Sequence, residues 1–158
     1  MTEDAKFEDA DEGPLRLKAL DADDLNVISG LCQDAVFLDS EVKWDRKKRR
    51  FALLLNRFRW EDTDRATRRG DYERVQSVLS IEDAMRVQSQ GVPKGDADMV
   101  LSVLSIGFEA GEDGAGTVLL TLAGDGAIRV EVEALELLLR DVTRPYRAPS
   151  GKAPDHGA

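Results

Sequence analysis

Trp44–Trp60 reads W-D-R-K-K-R-R-F-A-L-L-L-N-R-F-R-W. The stretch holds both tryptophans and two of the five phenylalanines, and with Lys43 it carries eight of the twenty-two basic residues. On a strand, neighbouring side chains face opposite ways. The odd face then carries Arg49, Phe51, Leu53, Leu55, Arg57 and Arg59, and the even face Arg50, Ala52, Leu54, Asn56, Phe58 and Trp60. Phe51–Leu55 is apolar on both faces, which predicts a central strand within Arg49–Trp60. Phe58 and Trp60 are expected to pack inward, and Arg57 and Arg59 to lie outside among the acids. Just upstream, Glu41–Trp44 predicts a short strand and Asp45–Lys48 a polar turn, so 41–60 reads as a β-hairpin with a basic tip.

Upstream of the hairpin, Leu15, Leu17 and Ala19 alternate with Arg16 and Lys18, which predicts a half-buried strand. Asp21 then caps a helix running to about Gln33, with Asp23 and Asp24 in its first turn and Leu25, Ile28, Leu31 and Cys32 on one stripe. Ala35–Leu38 predicts another short strand.

Downstream of the hairpin, 61–72 carries no apolar period and reads as a charged loop. Val75–Ile81 and Ala84–Ser89 alternate, with Glu82–Asp83 as a tight turn between them. A loop around Pro93 leads to Met99–Phe108, expected to be central in the sheet. Thr117–Leu122 and Ala127–Val132 form a hairpin about Gly124-Asp125-Gly126. Leu135, Leu138, Leu139 and Val142 recur at i, i+3, i+4 and i+7, which predicts a C-terminal helix from about Glu133 to Asp141. S-V-L-S-I occurs at both 77–81 and 102–106, which two similar strands explain without a duplication.

These elements predict an α+β fold. It is a mostly antiparallel sheet curled into a barrel or two layers, with one helix near the N-terminus and one at the C-terminus. The plan is loosely pleckstrin-homology-like. The expected limits are an acidic lead over 1–14, one domain over 15–142 and a disordered Pro/Gly tail over 143–158.

Composition narrows the chemistry. With 158 residues and 42% apolar content the chain can bury an ordinary core. The formal charge of −9 disfavours phosphate backbones as partners. One cysteine, Cys32, allows no internal disulfide and suits a reducing cytoplasm. No apolar run approaches the roughly 20 residues of a membrane span. The one histidine, His156, lies in the tail, so histidine metal sites and Ser-His or Cys-His pairs have no candidate in the folded part.

No catalytic residue, metal or cofactor is indicated. Asp21, Asp23 and Asp24 are explained by capping. Glu131 and Glu133 share a strand face, and Asp96 and Asp98 form a D-x-D lacking the further oxygens of a calcium loop. G-E-D-G-A-G at 111–116 precedes a strand and carries two acids, so it reads as a turn and not a phosphate cradle. The binding candidates are cationic: Arg46, Lys47, Lys48, Arg49 and Arg50 at the hairpin tip, then Arg57 and Arg59 along the strand.

F-A-L-L-L-N-R-F-R-W (51–60), L-K-A-L-D-A-D-D-L (17–25), L-C-Q-D-A-V (31–36) and G-A-I-R-V-E-V-E (126–133) together resemble a small uncharacterised bacterial family, a domain of unknown function, over about 15–142. The resemblance implies a cytoplasmic bacterial protein and no site residues. The expectation for function is a non-catalytic binding or interaction domain for a protein or a small acidic ligand. An RNA-contacting module using the basic tip is the alternative, and a metal-assisted carboxylate enzyme is a third reading.

Overall fold

The structure, a computed structural model, describes residues 3–4, 14–62, 73–92 and 99–147. In chain order the elements are β1 (Glu3–Asp4), β2 (Arg16–Ala19), α1 (Ala22–Leu31), β3 (Val36–Leu38), β4 (Val42–Asp45), β5 (Arg50–Phe58) and β6 (Glu73–Ile81). They continue with β7 (Ala84–Gln90), β8 (Val100–Ala110), β9 (Gly116–Leu122), β10 (Ala127–Val132), β11 (Leu137–Asp141) and β12 (Tyr146–Arg147). Single 3-10 turns occupy Asp39–Glu41 and Trp60–Asp62. Of the acidic lead, the charged loop, the loop around Pro93 and the tail, the stretches 1–2, 5–13, 63–72, 93–98 and 148–158 lie outside the described residues.

The strands form one connected sheet in the order β1-β2-β11-β6-β5-β3-β8-β9-β10-β7, with β4 beside β5 and β12 beside β6. Pairing is antiparallel except between β1 and β2. β5 is central, as its apolar centre predicts. It lies against β6 from Phe51 to Phe58 on one side, and against β4 and then β3 on the other. α1 begins where the sequence places it: Asp21 is extended at φ −141°, and its Oδ1 accepts from the Asp24 amide at 2.9 Å. Leu25, Ile28 and Leu31 turn inward from the helix onto the sheet. Each such buried Leu or Ile contributes about 1.5–3 kcal/mol by its removal from water.

Three expectations are corrected. The segment predicted as a C-terminal helix is β11, a strand between β2 and β6, in which Leu139 pairs with Leu17 on one side and Leu79 on the other. Leu135, Leu137 and Leu139 alternate inward, whereas Val142 is exposed, so the apolar run obeys period two. The helix near the N-terminus is the only α-helix among the described residues.

The sheet is also not a closed barrel. Its path has two ends, β1 and β7, and with no C-terminal helix to plug it the pleckstrin-homology-like plan does not apply.

Finally, Glu82–Asp83 is not a hairpin turn. β6 pairs with β5 and β11, while β7 pairs with β10. The chain changes its place in the sheet at this corner, with Asp83 in the left-handed region at φ 55°. It changes again between β10 and β11. The two corners hold each other, since the Glu82 amide donates to the Glu136 carbonyl at 2.9 Å and the Glu133 amide to that of Asp83 at 3.0 Å.

Bulges explain the remaining departures from alternation. Met85 has no partner on β10, because Arg86 faces Glu131 and Ala84 faces Val132. Ala84 and Val87 therefore both turn toward the core while Met85 and Arg86 lie outside. A second irregularity, between Val103 and Ser105 in the pairing of β8 with β9, leaves Leu104 40% exposed between buried Val103 and Ile106.

Candidate functional site

The odd face of β5 points inward along its whole length, through Phe51, Leu53, Leu55 and on to Arg57. Arg57 is fully buried, so the expectation that it faces solvent is corrected. Its Nε donates to Ser77 Oγ at 3.0 Å, its Nη1 and Nη2 to the two oxygens of Glu61 at 2.8 Å each, and its Nη2 also to Asp141 Oδ1 at 3.0 Å. Asp141 is further held by the Ser77 hydroxyl at 2.7 Å and by the Leu15 amide at 2.9 Å. Burial opposes the guanidinium charge, but the hydrogen bonds and charge of Glu61, with those of Asp141, outweigh it and push the pKa of Arg57 up.

Arg59 is 8% exposed and pairs with Asp62 and Glu73, so it too is removed from the surface. Phe58 is buried as expected. It meets the half-buried Trp60 edge to face, with ring centroids 4.7 Å apart, and the Trp60 Nε1 donates to the Gln33 carbonyl at 2.9 Å. The R-F-R-W-E-D string at 57–62 is thus an internal clamp that ties β5 to β6, β11 and the loop after α1.

The hairpin tip remains at the surface. Residues 46–49 form the turn, which the Asp45 carboxylate stabilises by accepting from the Lys48 amide at 3.1 Å. Arg49 sits at φ 53°, a left-handed conformation that costs a non-glycine residue about 1–2 kcal/mol. Arg49 reaches Glu133 at 3.0 Å, and Arg50 grips Glu82 with two nitrogens at 2.8–3.0 Å. The hydrogen bonds it donates to the Glu82 carboxylate raise the pKa of Arg50. Partial burial works to raise the pKa of Glu82, but hydrogen bonds from Arg50 and Ser80 hold it below the usual range. Arg50 is thereby committed to the corner. Arg46, Lys47 and Lys48 make no ion pair with another described residue.

The open sheet gives this tip a second wall. The Ala84 amide donates to the Arg49 carbonyl at 2.9 Å, so the start of β7 is pinned against the tip. Beyond that point the two diverge and leave a groove of about 570 Å³, lined by Trp44, Arg46 and Arg49 on one side and Met85, Arg86 and Val87 on the other. Glu133 is the acid in its lining, and Arg49 neutralises it. Arg86 stands 3.7 Å from Glu131, with both side chains largely exposed.

The tip thus keeps Arg46 and Arg49 as groove residues, while Lys47 and Lys48 are exposed and do not line the groove. Arg86, Met85 and Trp44 had no signal as site residues, because Arg86 and Met85 sit on an ordinary alternating strand and only the β6–β7 corner brings them to the hairpin.

Glu131 and Glu133, the paired carboxylates, are both drawn into ion pairs with arginines. Asp96 and Asp98 lie outside the described residues. Among the described residues no three His, Cys, Asp or Glu side chains gather as metal ligands, and no helix is long and apolar enough to cross a membrane. Cys32 is fully buried, and desolvation outweighs the opposing charge of Arg57 to push its thiol up to about 12. It is a core residue and not a nucleophile.

Comparison with curated proteins and with solved structures gave no match. A family model does match, over residues 15–156. The chain belongs to the family described as a protein of unknown function, DUF2948.

Proposed function

We propose that this protein is a non-catalytic binding domain whose contact surface is the basic tip and the groove beside it, and that it takes an acidic group of a protein or small ligand there. The observation that carries this reading is the convergence of Arg46 and Arg49 from the hairpin with Arg86 from β7, around Trp44 and Met85. Such a surface offers forked donors for carboxylate or phosphate and an apolar floor for the attached group. An RNA contact by the same surface is the second reading, favoured by Trp44 standing beside Arg46 and Arg49, where a base can stack.

Tryptophan emission of the intact protein, titrated with oligoglutamate, citrate and mixed single-stranded RNA at low and high salt, tests both. The proposal expects binding of the carboxylates that weakens at least tenfold in R46E/R86E. A steep salt dependence seen with RNA alone supports the second reading. No response to any of the three at low salt overturns both.

A further inference from the structure

The groove has a backbone wall as well as charged side chains. β7 pairs with β10 on one side, and its other edge, bonded to the hairpin tip through the Ala84 amide, has no strand partner from Arg86 to Gln90 among the described residues. The Met85 bulge disrupts only its first residues. From Arg86 to Gln90 the strand is regular, in register with Glu131 to Ala127. Natural edges are blunted by charge, proline or a bulge, yet V-Q-S-Q at 87–90 carries no charge and no proline, and Gln88, Ser89 and Gln90 are exposed. This open stretch starts at the groove that holds Arg46, Arg49 and Arg86.

We infer that β7 is a strand-addition site: an extended acidic peptide lies along its free edge, with its carboxylates at the end facing Arg46, Arg49 and Arg86. The inference rests on the proposed anion-binding role of the groove and names the class of partner. Main-chain hydrogen bonds to β7 supply affinity without regard to sequence, and the three arginines select for acid at one end. Trp44, Met85 and Val87 supply the apolar surface between them. Small anions engage the arginines but gain nothing from the strand edge. Two observations meet here that are independent of each other, the unpaired edge and the cationic lining, and a peptide uses both.

The experiment uses the full chain and three probes: a fluorescein-labelled eight-residue peptide ending in three glutamates, the same peptide N-methylated at alternate residues, and glutarate. The expected result is binding of the first peptide, at least tenfold weaker binding of the methylated one, and gained hydrogen-exchange protection at Arg86–Gln90 with the first peptide only. Weakening by R86E, with an unchanged circular dichroism spectrum, supports the arginine end.

Equal affinity for both peptides overturns strand addition and leaves the anion site standing. Failure of glutarate and both peptides removes the anion site as well. Protection of β7 that rises with protein concentration alone assigns the edge to a second copy and overturns the peptide as its occupant.

Discussion

Arg57 shows how a side chain's alternation can outrank its polarity. Three residues before it on the same face are Phe51, Leu53 and Leu55 at register positions two apart, and the pleat carries Arg57 to the inside with them. Its partners Glu61 and Asp141 are nearly as buried, with side chains 1% and 4% exposed. Removing one partner of a buried ion pair leaves the others charged and unpaired, which costs about 3–5 kcal/mol. Arg57→Met is expected to lose that amount in urea unfolding, far more than R46E at the exposed tip.

Cys32 makes a pH prediction at the same scale. Its thiol ionises at about 12 in the fold against 9.0 for the free group, so a folded-state pKa is raised. Below the unfolded value both states keep the proton. As pH rises between the two values only the unfolded chain releases it, so stability falls by about 1.4 kcal/mol per pH unit. Wild type should therefore lose denaturant stability faster than Cys32→Ala from pH 9 upward, and parallel curves would refute the assignment.

β11 is the element whose sequence admits two readings. L-E-L-L-L-R at 135–140 satisfies both a helical stripe and strict alternation. A helix would bury Leu135, Leu138, Leu139 and Val142 together, whereas the strand buries Leu137 and Leu139 completely and leaves Leu138 half-exposed. Leu139→Ala should then cost about 2–5 kcal/mol as a core truncation. Leu138→Ala should cost clearly less, as judged by thermal unfolding, and equal losses would favour the helix. β7 is the contrasting element. It also alternates, but its bulge and free edge make it a border, and a strand's place in a sheet cannot be read from its own side chains.

Across the whole molecule, the most internal strands are β5 and β6, each paired on both sides, while β7 closes one end of the path. Opening free energies follow burial and pairing. Amides of Leu53–Leu55 and Ser77–Leu79 should therefore exchange slowest in the free protein, and those of Gln88–Gln90 fastest among the strands, by mass-spectrometric or NMR hydrogen exchange. The charge distribution belongs to this scale too. A chain of net −9 keeps Arg46, Lys47 and Lys48 together at one exposed point, which concentrates a positive field there.

Local pattern was enough to determine much of this protein. Asp21 as an N-cap, Leu25, Ile28 and Leu31 as a helix stripe, Phe51–Leu55 as the centre of the sheet and Cys32 as a core residue all depend on neighbours a few positions away. So does the cationic tip at Arg46–Arg50, since five adjacent cations have no place but the surface. Tertiary structure decided what depends on distant partners. Arg57 is inside because Glu61, Ser77 and Asp141 are there to hold its charge, and 135–141 is a strand because a slot between β2 and β6 satisfies its backbone on both sides. The groove exists because the chain turns a corner at Asp83 and brings Arg86 to the hairpin without closing the sheet. Short-range periodicity is a property of the sequence, but the desolvation of a charge and the pairing of an edge are settled only by what packs against them.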